Sequence, residues 1–118
     1  MKFLKKKVPR KFSVGNNKKV ILKDFGKIYL NSNEQLTFVK NKSEFDIVKK
    51  NWGYYATPSI NNRLKKFNFR SFIVINSSAH IYIMIVHKNK IKEFKKYLKS
   101  DKAQILKELT NGYNIKFK

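Results

Sequence analysis

The sequence predicts an α+β fold: an antiparallel or mixed sheet with a short central helix and a longer C-terminal helix packed on it. Three observations predict it. Short apolar runs alternate with turn residues over 12–40, a helix-start signal precedes an apolar stripe over 57–67, and apolar residues recur at helical spacing over 91–109. At 118 residues the chain has room for one domain with a small core. The expected division is a mobile basic arm at 1–11, a single domain at 12–110 and a basic C-terminal tail at 111–118.

The arm, M-K-F-L-K-K-K-V-P-R-K, carries six basic residues and no acid, and Pro9 interrupts regular structure. Apolar runs at 12–14, 20–22, 28–30 and 36–39 are separated by Gly15, Asn16 and Asn17, by Asp24 and Gly26, and by residues 31–33, which reads as strands and hairpins. Leu36 and Phe38 alternate with Thr37 and Val39, so one face of this sheet is expected to be half solvated. Residues 45–48 read as a further strand, although Ser43, Glu44 and Asp46 look like a helix start. Thr57 and Pro58 then open a helix of about ten residues, because a Thr hydroxyl accepts from free first-turn amides and Pro loses no hydrogen bond there. Ile60, Leu64 and Phe67 form its stripe, and Asn68 suits the left-handed residue that ends it. The apolar runs at 72–75 and 81–86 read as a hairpin at the centre of the sheet, covered on both faces. Asn89 is expected to cap the last helix. Ile91, Phe94, Leu98, Ile105 and Leu109 face inward, a break is allowed at Ser100 and Asp101, and Asn111-Gly112 ends it.

Lys and Arg number 28 against 7 Asp and Glu, a net charge of +21 that attracts polyanions at low salt. Lys outnumbers Arg 25 to 3. An AT-rich genome also imposes that ratio, but it does not account for so few carboxylates. Such a charge fits nucleic acid, an anionic membrane or an acidic partner. The longest apolar run, 81–86, is too short to span a bilayer, and no apolar segment follows the basic start as in a secretory signal. The expectation is a soluble cytoplasmic protein without a transmembrane segment.

Catalysis finds little support. The absence of Cys removes disulfides, thiolate chemistry and cysteine zinc sites. His80 and His87 are seven residues apart, on opposite faces of a regular strand, which argues against a shared metal or triad. Glu44 and Asp46 would share a strand face as an acid pair, or simply pair with Lys42, Lys49 or Lys50. Asp24-Phe25-Gly26 lacks the companions of a kinase signature and reads as a turn. No catalytic residue, metal ligand or cofactor is assigned, and a non-enzymatic binding protein is expected.

The candidate binding residues gather in 52–70, W-G-Y-Y-A-T-P-S-I-N-N-R-L-K-K-F-N-F-R. Trp52, Tyr54 and Tyr55 offer stacking surfaces for a base or sugar ring. Thr57, Ser59, Asn61 and Asn62 put hydroxyls and amides at a helix start, whose free N–H groups suit an anion, and Arg63 adds a fork for phosphate or carboxylate. Lys65, Lys66 and Arg70 extend the charge towards the arm and the Lys face of the last helix. The same residues also have plain roles as caps, core aromatics and a solvated helix face. Neither a GxGxxG nor a GxxxxGK[ST] pattern occurs, and scarce Arg points away from base-specific reading. Two readings follow: binding of RNA or DNA with little sequence preference, or recognition of a phosphorylated metabolite or sugar nucleotide.

The string W-G-Y-Y-A-T-P-S-I-N-N-R-L-K-K-F at 52–67, with Y-I-M-I-V at 82–86 and F-K-K-Y-L at 94–98, resembles a group of small uncharacterised bacterial proteins over the last two thirds of the chain. That resemblance implies an accessory role in surface-carbohydrate biosynthesis, where the second reading would belong.

Overall fold

A computed structural model of the chain describes residues 1–15 and 20–111. Asn16 and Asn17, expected in a turn, and the tail beyond Asn111 lie outside the described residues. The α+β expectation is overturned. Strands hold 57% of the described residues and helices 16%; eight strands form three small sheets, accompanied by a helical segment of 13 residues and a separate helical turn of 4.

Strands β1 (Lys2–Val14) and β2 (Val20–Tyr29) form a two-stranded antiparallel ribbon. The stretch expected to be a mobile arm is therefore paired, because β2 supplies backbone partners that a lysine run cannot find within itself. Pro9 is accommodated by a slip in register. Lys5 lies opposite Gly26 and Arg10 opposite Asp24, so the missing N–H falls where the ladder is already interrupted. Asp24 ties the slip together, accepting from Gly26 N at 3.0 Å and pairing with Arg10 at 3.3 Å and Lys6 at 3.8 Å.

The second sheet is an antiparallel meander of β3 (Gln35–Lys40), β4 (Ser43–Lys50) and β5 (Gly53–Thr57), with β4 in the middle. The strand expected over 45–48 is present. The helix expected from Thr57 is not. Thr57 ends β5 opposite Asp46 and serves the ladder, Pro58 is buried after a cis peptide bond, and α1 (Arg63–Lys66) is a single turn of 4 residues. Ser59 organises the entry to that turn: its carbonyl accepts from Leu64 N at 3.0 Å and its hydroxyl from Arg63 N at 3.3 Å. Leu64 is buried, α1 packs on the strand that follows, and Asn68 takes the expected left-handed conformation at φ 64°.

In the third sheet β6 (Phe69–Ile75) is flanked antiparallel by β7 (Ile81–His87) and β8 (Gln104–Glu108). A 3₁₀ turn at Lys88–Lys90 leads into α2 (Ile91–Ser100), with Lys90 rather than Asn89 at the cap position. The expected helix through Leu109 stops at Ser100. The chain turns at Lys102 (φ 53°), and Ile105 reaches the core from β8 instead. Over two short segments, apolar spacing alone does not separate a helix from a turn and a strand, and β8 satisfies the second edge of β6. Phe72, Val74 and Val86 pack with Phe94 and Leu98 of α2, the two Phe rings 5.1 Å apart. The expected central hairpin has only β6 at the centre. Away from α2 its outer strand is uncovered, with Ile81 and Ile83 61% and 70% exposed.

Candidate nucleic-acid interface

Register decides the composition of each face of the β3–β4–β5 sheet. Phe38 lies opposite Phe45, Leu36 opposite Ile47, Ile47 opposite Ala56 and Lys49 opposite Tyr54, while Lys40 lies opposite Ser43. Directly opposed residues point to one side, so these nine residues form a single face. It holds no carboxylate. Glu44 and Asp46, the acids of β4, point to the other side, where Asp46 and Val48 are buried. Phe38 and Tyr54 are 57% and 63% exposed; the Phe38 and Phe45 rings lie 6.5 Å apart, and the Lys49 ammonium sits 5.1 Å above the Tyr54 ring.

This arrangement stacks and attracts. The rings offer flat apolar surface; Lys49, half-buried, holds positive charge directly over one of them, and the exposed Lys40 adds charge at the end of the face. Glu44 and Asp46 point away from this face, and Asp24, Glu34, Glu93 and Glu108 have ion pairs of their own. On the ribbon Lys11 lies directly opposite Lys23, a like-charge pair that adds to the field.

The residues predicted from the sequence are split among several places. Tyr54 belongs to the acid-free face. Trp52 and Tyr55 stack on each other instead, centroids 6.2 Å apart and planes 16° from parallel, with Tyr55 on the opposite side of β5 from Tyr54. Thr57 is in the ladder, and Ser59, Asn61 and Asn62 form the exposed approach to α1. Arg63, expected well inside a helix, is its first residue and lies 5.7 Å from the Phe67 ring; Lys65 and Lys66 are exposed beside it. A single turn has too little aligned backbone to form the anion site expected at a helix start. Arg70 is engaged in a two-pronged pair with Glu108.

No protein-family model, curated protein or solved structure matches the chain. The site is therefore read from its own geometry. Sequence reasoning missed Phe38, Phe45, Lys40 and Lys49. The alternation of Leu36 and Phe38 already marked a two-faced strand, but only register shows which rings meet. Among the described residues no cluster of His, Asp or Glu could hold a metal ion, and no helix is long and apolar enough to cross a membrane. Asp46 and Glu44 share a face, as expected. Asp46 is buried, and its Oδ1 has no hydrogen-bond partner.

Proposed function

We propose that the protein binds single strands of RNA or DNA with little sequence preference, stacking bases on Phe38, Phe45 and Tyr54 and holding phosphates with Lys40 and Lys49. The observation that carries this reading is the acid-free face of the β3–β4–β5 sheet, along which three rings and two lysines share one side. Every base has a π-face, so such a platform tolerates any sequence, and Lys in place of Arg supplies charge without a fork for guanine. The Trp52–Tyr55 stack offers a second ring surface on the opposite side of the sheet, and Arg63, Lys65, Lys66 and the lysines of the ribbon add positive charge elsewhere on the molecule.

Anisotropy of labelled mixed-sequence single strands, read across salt, tests the reading. Phe38→Ala with Tyr54→Ala changes two exposed positions and is expected to weaken binding about 5- to 150-fold per stacked base lost, with the melting temperature unchanged. Lys40→Ala and Lys49→Ala are expected to flatten the salt dependence by about 0.7 log unit per phosphate contact. Unaltered affinity in the aromatic double variant would defeat the proposal.

A further inference from the structure

At the end of the acid-free face, three turns surround a cleft of about 530 Å³. Lys40, Asn41 and Ser43 come from the β3–β4 turn, Asn68 from the turn after α1, and His87 and Lys88 from the end of β7. Asn41 and Asn68 are left-handed, at φ 54° and 64°, which bends the chain sharply at two corners of the opening. Hydrogen bonds fasten the turns to one another. Ser43 Oγ donates to the Phe67 carbonyl at 3.0 Å, and Lys88 N–H donates to the Asn68 carbonyl at 2.7 Å.

The lining supplies two ammonium groups, an imidazole, a hydroxyl and amides, and it contains no carboxylate. Among the described residues neither Lys40 nor Lys88 has an ion-pair partner, and Lys90 nearby meets only Glu93, at 3.8 Å. Like charges gathered in a fastened concave site repel one another, and a dianion placed among them removes that cost. A phosphate monoester is such a group. A diester inside a strand carries a single charge and has two of its oxygens substituted, so it matches the lining less well.

We propose that this cleft binds a terminal phosphate, either that of a phosphorylated small molecule or that of a nucleic-acid strand end. Lys40 and Lys88 supply the charge, His87 donates a hydrogen bond, and the amides of Asn41 and Asn68 complete the contacts. The site uses none of the three platform rings. His87 also reports on occupancy. Burial first, then Lys40 and Lys90, holds its imidazole below the ordinary value, and the Phe69 ring 4.4 Å away adds no charge. A dianion reverses the sign of that field, so phosphate binding and His87 protonation favour each other.

The chain has two histidines, and His80, at the other end of β7, serves as the internal control for imidazole NMR of the protein. Millimolar inorganic phosphate is expected to move the His87 signals and raise its pKa while His80 stays in place. Lys40→Ala or Lys88→Ala, both at exposed positions, is expected to weaken phosphate about 10-fold or more. A sugar phosphate acting like inorganic phosphate, with 5′-phosphorylated and 5′-hydroxyl strands binding alike, assigns the group to a small molecule. Tighter binding of the 5′-phosphorylated strand, lost in Lys88→Ala, assigns it to a strand end. No His87 response, equal shifts of both histidines, or a phosphate affinity indifferent to both lysines overturns the site. Phe38→Ala with Tyr54→Ala is expected to leave the phosphate response intact, which separates this site's failure from failure of the platform.

Discussion

Arg70 Nε donates to Glu108 Oε2 at 2.7 Å and Nη2 donates to the other carboxylate oxygen, a two-pronged contact that joins β6 with β8. Those hydrogen bonds hold the Glu108 carboxyl below its ordinary value, with burial opposing and Thr110 assisting. Because the folded pKa lies below the unfolded one, the stabilisation is fully present above the ordinary value of 4.5 and is lost as pH falls through the folded value. The side chains are 34% and 26% exposed, so solvent screening limits the pair to about 1 kcal/mol. Thermal melts against pH are expected to show a shallower acid limb for Glu108→Gln than for the native protein between about pH 5 and 3, and a slightly lower melting temperature at neutral pH. Asp24 and Glu34 are also depressed, but both proteins share them, so they cancel in the comparison. Identical acid limbs would show that the pair contributes nothing.

The β1–β2 ribbon depends on one glycine. Gly26 has φ 144°, and a Cβ there would lie 2.1 Å from the Leu4 carbonyl oxygen, a backbone atom that cannot move without breaking the pairing. Gly53 has φ 147° but no atom within 4 Å of its would-be Cβ. Alanine at Gly53 therefore meets backbone strain alone, about 1–3 kcal/mol, whereas Gly26→Ala adds a clash and is expected to cost roughly 2–5 kcal/mol. Amide exchange in β1 and β2 is the readout, because a separate two-stranded sheet can open by itself. Protection in Gly26→Ala equal to that in Gly53→Ala would mean the strands pair in another register.

The charge of the whole molecule opposes the hazard of its bare edge. β7 is the outermost strand of its sheet, has no Lys, Pro or bulge between Ile81 and Val86, and exposes Ile81 and Ile83. A net charge of +21 keeps copies apart while the screening length is long, about 30 Å at 0.01 M salt and about 10 Å at 0.1 M. Light scattering is expected to rise with salt over the range in which strand binding falls. Ile83→Lys, at a site where substitution costs within about 0.5 kcal/mol, is expected to suppress that rise. Scattering that ignores salt, or is unaffected by Ile83→Lys, would acquit the edge.

Local chemistry made part of this legible in the sequence. The strands at 36–39, 45–48, 72–75 and 81–86 follow from apolar runs and alternation, the left-handed Asn68 from its short polar side chain, and the excess of positive charge from composition; each acts over a few residues or needs no neighbours at all. Tertiary structure decided the rest. Thr57 and Pro58 read as a helix start until Thr57 pairs with Asp46, and residues 104–108 read as helix until β6 offers a ladder. Local preferences worth under about 1 kcal/mol per residue yield to backbone pairing and burial. The platform and the cleft belong to the same class: Phe38, Phe45, Lys49 and Tyr54 sit on three successive strands, and Lys40, Asn68 and His87 are far apart in the chain, so which of them share a surface is fixed only by strand register and turn packing.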